Sequence, residues 1–287
     1  MELLRKAIPF AMLAFILSSM LAMGLGLTVR QIVTPLRDYS LVARALLANF
    51  VLTPLAAVAL SRLLRLDEPQ AVGLLLLGAA AGAPFLPKLA QLAKAEVGFA
   101  VGLMVLLMVI TIGYLPLALP LMLPGVSVNS WAIARSLFLL MLLPLGLALG
   151  VNARFPAIAA RAKPVLDQLS SLSLILLFIL LVVGNFTNVL AVLGTGGILA
   201  GLLFLAAGLG TGWVLGGPAR QTRHVLALGT AQRNIAASLV VAGPAFTDPN
   251  VVVMVVVVAI VGLVVLMATA RVIGRGTAER SGAVPTA

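Results

Sequence analysis

The chain has 287 residues, of which 62% are hydrophobic and 9% charged, with a mean hydropathy of +1.20. A soluble domain carries about 25% charged residues, so this chain cannot cover a water-facing surface, and the class that fits is an all-α polytopic membrane protein. A formal charge of +11 is therefore sorted by membrane side and is not read as a nucleic-acid footprint. Cysteine is absent and His224 is the only histidine, which excludes disulfides, thiolate metal sites, a Cys nucleophile and a two-histidine metal site.

A span needs roughly 20 apolar residues, and charges, prolines and glycines mark off nine apolar stretches. In chain order these are span A near 7–28, B near 40–62, C near 69–95, D near 97–123 and E near 130–151. Span F follows near 163–186, G near 192–216, H near 221–246 and I near 249–271. The runs are long and continuous, unlike barrel strands, which alternate with period two. Arg5 and Lys6 before an apolar run have the look of a signal peptide, but the run ends in glycine-rich sequence with no hydrophilic stretch after it, so it reads as span A.

Arg30, Arg37, Arg44, Lys94, Arg154, Arg161, Lys163, Arg220, Arg223, Arg271, Arg275 and Arg280 fall on one side of these spans; Arg5, Lys6, Arg62, Arg65 and Arg135 fall on the other. The positive-inside rule then predicts a cytoplasmic C-terminus and an outside N-terminus.

Two spans carry breaks. In span C, Pro84 and Pro87 follow a Gly/Ala-rich stretch. Each proline removes an N–H and excludes the carbonyl four residues earlier, so a break is expected between about Ala83 and Lys88, with the carbonyls of Ala80 and Ala83 freed. In lipid such groups must be met by protein or a water-lined cavity. In span H, Thr230, Gln232, Arg233 and Asn234 interrupt an apolar run. Neighbours on a helix project about 100° apart, so an unwound segment is needed for the last three to reach one cavity. C and H cross in opposite senses and hold corresponding places in two halves. That pattern predicts an inverted-repeat transporter with discontinuous helices meeting near the midplane.

The segments LAMGLGLTVRQI, GAAAGAPFLPKLAQLAKAEVGFAVGL and GTAQRNIAASLVVA resemble, in order and spacing, the conserved stretches of the bile acid:sodium symporter family, over about Ile8 to Arg275. The resemblance implies a bacterial inner-membrane carrier. Its core helices would lie at about 40–123 and 192–271, and its panel helices at about 7–28 and 130–186. It also implies two sodium sites at the crossing, and there the sequence departs. The family's Ser-Asn pair falls on Leu86 and Pro87, hydroxyl positions of the next helix on Ala100 and Met104, the second motif's glutamate on Gly229 and its glutamine on Arg233. Asn234 is kept, and a glutamine of span B falls on Asn49. A hard cation needs several oxygen donors, and most are gone.

Lys88 and Arg233 arrive instead. The expectation is that they supply fixed positive charge in place of sodium, and that Arg233, Asn234, Lys88, Gln232, Asn49 and Thr230 bind the substrate, a small organic anion. Coupling would be to protons or absent. A sodium-coupled anion symporter with a rebuilt cation site is the alternative within transport. Against these stand simpler readings: Lys88 snorkelling to the interface, Arg233 pairing with freed carbonyls of span C, Asn234 and Gln232 capping half-helices, and Asn49 and Thr53 relieving the kink at Pro54. A membrane enzyme or scaffold is the alternative from another class. It is disfavoured because His224 falls in a predicted loop, the carboxylates lie at span ends, and no nucleophile–base pair or metal cluster is visible. No cofactor and no metal are expected.

Overall fold

The structure is a computed structural model that describes residues 2–123, 129–184 and 196–281. Among them every regular element is helical. Helix α1 spans Glu2–Leu25 and α2, a single turn, Val29–Val33, the latter closed by a capping box in which Thr28 and Gln31 satisfy each other's backbone N–H groups. Helix α3 runs over Tyr39–Leu63, α4 over Glu68–Ala79, α5 over Leu86–Leu92 and α6 over Val97–Met122. Helix α7 covers Ser130–Arg154, α8 Pro156–Gly184 and α9 Gly197–Leu215. The chain continues through α10 at Arg220–Ala231, α11 at Ile235–Ala245 and α12 at Pro249–Ser281.

Eight segments of the described chain are long and apolar enough to cross a membrane: α1, α3, α6, α7, α8, α9, α10 with α11, and α12. Span C is the two shorter helices α4 and α5. The molecule is thus a polytopic all-α membrane protein.

Two widened turns have one cause. Helices α3 and α7 each contain a π-turn, Ala48–Leu52 and Phe138–Leu142, placed two residues before Pro54 and Pro144. A proline ring excludes the carbonyl four residues earlier, and the widened turn makes room for it. In α3 the released groups find new partners: Tyr114 Oη donates to the Phe50 carbonyl at 2.8 Å and Thr53 Oγ1 to the Ala48 carbonyl at 2.6 Å.

Several boundaries differ from the expectations. The break in span C begins earlier, because α4 stops at Ala79 and residues 80–85 are non-helical. Gly82, at φ +79°, turns the chain there, and its missing side chain lets the strand of backbone lie on Met104 and Met108 of α6. Helix α8 starts at Pro156, a favoured first helical residue, so Lys163 and Asp167 sit inside it as an exposed i,i+4 pair at 2.5 Å. His224 lies in α10 and not in a loop, its ring 5.3 Å from that of Trp213.

Helix α8 lies along α1, and α1 along α7. The remaining long helices pack on one another, α9 on α10 and α12 on α4. The two groups meet where α11 touches α7 and α1, and where α6 touches α7 and α2. Contacts gather the basic loops at one end: Asn152 Nδ2 donates to the Leu27 carbonyl at 2.7 Å, a Cβ on Gly217 would stand 3.6 Å from Arg44 Nη1, and Gly274 of α12 abuts the Leu92 carbonyl.

Candidate functional site

The two broken segments meet. The last carbonyls of a helix have no partner within it, and those at the end of α4 are met from the start of α11. Ser238 Oγ donates to the Leu76 carbonyl at 3.3 Å and the Asn234 backbone N–H to the Ala80 carbonyl at 2.9 Å. Asn234 Nδ2 reaches the carbonyls of Gly82 at 3.0 Å and Ala81 at 3.4 Å, while its Oδ1 accepts from Ala237 N–H and so caps α11. From α6, Thr111 Oγ1 exchanges hydrogen bonds with both backbone groups of Ala81, at 3.0 and 3.1 Å.

Arg233 sits at the centre, 6% exposed. Its Nε donates to the Leu77 carbonyl at 2.8 Å. Nη2 donates to the Gly78 carbonyl at 2.7 Å and the Asn49 carbonyl at 3.5 Å, and Nη1 to Asn49 Oδ1 at 2.9 Å and the Thr230 carbonyl at 3.1 Å. A guanidinium has five N–H donors, and five oxygen contacts are present. Among the described residues no carboxylate pairs with it. Its charge is met by dipoles: Leu77 and Gly78 end α4, and Thr230 stands one residue before the end of α10. Each helix C-terminus carries roughly half a negative charge, and two converge on one cation.

Of the residues expected at the site, Asn49, Thr230, Arg233 and Asn234 are buried and bonded into this one cluster; Asn49 Nδ2 also donates to Thr230 Oγ1 at 3.3 Å. Gln232 leaves it on the other side, toward α9 and α12. Lys88 is not brought to the guanidinium. On α5 the buried face is Leu86, Leu89 and Ala90, and Lys88 is exposed with Gln91. The space beside Gly229 is filled by Leu86, whose methyl carbon lies 2.9 Å from where a Cβ would stand. The place beside Gly229 thus holds hydrocarbon, and the place between the ends of α4 and α10 holds the guanidinium. Thr111, Tyr114 and Ser238 were not among the expected residues. Thr111 and Tyr114, three apart in an otherwise apolar span, were the visible sign of a polar helix face.

Among the described residues no group of three or more His, Asp or Glu side chains is placed to hold a metal ion. No curated protein matches the chain in a sequence search. The sequence model of the sodium bile acid symporter family matches residues 12–192; that stretch holds the first broken segment, whereas the second lies beyond it. With well over half of its length matched, the chain belongs to the sodium bile acid symporter family.

Proposed function

We propose that the protein is a secondary transporter of small organic anions that works without sodium, because its cation is built in. The supporting observation is the Arg233 guanidinium, held by five oxygen contacts at the meeting point of two half-helix ends. A mobile ion at that place would have to displace a tethered one from buried carbonyls, whose desolvation without a partner is costly. With its N–H donors committed to oxygens, Arg233 acts on an anionic substrate through space and as the keystone of the crossing. Lys88, exposed on α5, adds positive charge on the path toward the basic end. The substrate face lies between the group α1, α7 and α8 and the rest of the bundle, and transport proceeds by motion of one group against the other. The distribution of Lys and Arg supports an outside N-terminus and a cytoplasmic C-terminus.

The experiment is uptake of an amphipathic carboxylate, cholate, into proteoliposomes with sodium, potassium or choline chloride at equal ionic strength. Equal rates in the three salts are expected. A requirement for sodium overturns the reading and points to a cation site rebuilt from other oxygens.

A further inference from the structure

Arg44 of α3 and Arg223 of α10 meet at the turn that joins α9 to α10. Gly217, at φ +81°, makes that turn; Arg223 Nε donates to its carbonyl at 2.5 Å, and a Cβ there would stand 3.6 Å from Arg44 Nη1. Arg44 Nη2 also donates to Ser40 Oγ at 3.0 Å. Among the described residues neither guanidinium has a carboxylate partner, and Asp38, on the preceding turn of chain, is taken up in capping α3 through the Leu41 N–H. A guanidinium has five N–H donors, so these two, unlike Arg233, keep most of theirs for an outside group. Two like charges side by side repel, and an anion between them relieves the repulsion.

The surroundings say which kind of anion. Tyr39 on α3 and Trp213 on α9, both exposed, flank the pair along their helices, and such amphipathic rings sit at headgroup level. A groove of about 300 Å³ lies between α3 and α9, lined by Leu52, Gly210, Thr211, Val214 and Leu215. It holds about ten times the share of one water in the liquid. Its shallow end is Leu215, the last residue of α9 before the Gly216–Gly217 turn, and its deep end is Leu52, about two helical turns below Arg44. Leu52, Gly210 and Val214 are exposed, so the groove opens onto the bilayer. A free inorganic anion leaves this apolar groove unused, whereas an anionic headgroup carrying acyl chains fills both parts.

We propose that α3, α9 and the α9–α10 turn form a site for an anionic phospholipid. Its phosphate lies between Arg44 and Arg223, with the Ser40 hydroxyl beside it, and one acyl chain lies in the α3–α9 groove. Basic pockets between spans at the positive end of a membrane protein take such headgroups. The lipid braces α3 against the start of α10.

The test is photolabelling of the full-length protein in phosphatidylcholine nanodiscs, with adducts mapped by mass spectrometry. One probe is phosphatidylglycerol with a diazirine in an acyl chain; the other is phosphatidylcholine with the same diazirine. At equal mole fraction the phosphatidylglycerol probe is expected to label Leu52, Thr211, Val214 and Leu215 about tenfold more than the other. Arg44→Gln and Arg223→Gln should each lower these adducts about fivefold, the scale of one basic side chain at an anionic membrane. Arg154→Gln, at the same end but on α7, should leave them unchanged, and excess inorganic phosphate should not compete. Equal labelling by the two probes, or an equal loss in Arg154→Gln and Arg44→Gln, reduces the site to a general basic surface and overturns the proposal. Displacement by inorganic phosphate overturns it in favour of a free anion. If Arg223→Gln, which also gives up its bond to Gly217, does not purify as a single species, Gly210→Phe decides the matter. It fills the groove from an exposed position and leaves both arginines in place: loss of the adducts supports the site and their persistence overturns it.

Discussion

A lone buried arginine in a membrane span is costly by insertion scales, at about 2.5 kcal/mol or more. Arg233 is tolerated because each N–H faces an oxygen and two helix ends face the charge. Replacing Arg233 with Met strands the carbonyls of Gly78 and Thr230, each worth about 1–3 kcal/mol when buried unpaired, and leaves that of Leu77 with only the Ala80 N–H. Thermal unfolding of that variant should fall well below wild type, and millimolar guanidinium should raise its midpoint while leaving the wild type unmoved. If guanidinium does nothing, the oxygens do not form a cation cage. Tyr114→Phe is a milder probe: it removes the donor to the Phe50 carbonyl beside the π-turn, for an expected loss of about 1–3 kcal/mol, read by the same melt. The polar interruption of span H pointed to Arg233 and Asn234, and the family resemblance added Asn49. Sequence alone could not show that the guanidinium donors are spent on backbone, since which carbonyls lie within reach depends on α4 and α10 ending at the same point in space.

At the scale of the element, prolines and glycines decide where helices stop. Pro84 and Pro87 announced a break, yet helix α4 ends five residues before the first of them. The reason is Gly82: its positive φ and its approach to the backbone of Met108 bring residues 80–83 against α6, where Thr111 and Asn234 supply the hydrogen bonds that a helix would have supplied. Gly82→Ala would place a Cβ 2.6 Å from Met108 Cα in a conformation that L side chains rarely adopt. The expected cost is about 3 kcal/mol or more, seen as loss of the monodisperse species in detergent; a fully stable variant would mean the loop has another conformation available. The π-turns of α3 and α7 were legible only as prolines in apolar runs, because proline strain can be relieved by a kink, a widened turn or a full break, and neighbours choose among these.

Across the whole molecule, the basic residues of alternate loops converge on one end through contacts such as Asn152 with Leu27 and Arg44 with Gly217. Because the chain has no cysteine, single substitutions report sidedness directly. In intact cells a membrane-impermeant maleimide should label Glu68→Cys, at the far end, and should reach Gln221→Cys, at the basic end, only after permeabilisation. The opposite pattern would invert the orientation.

The sequence by itself determined the class, the approximate spans and the two break sites, since these follow from hydropathy, length and backbone chemistry local to each segment. It also carried the family likeness that the match over residues 12–192 establishes. The tertiary structure alone decided that Leu86, not Lys88, fills the space at Gly229, that Gln232 turns away from its neighbours toward α9 and α12, and that Arg233 is shared by two helix ends. Side-chain direction at a helix break depends on partners on other helices, some more than 100 residues distant in the chain, and no local periodicity encodes it.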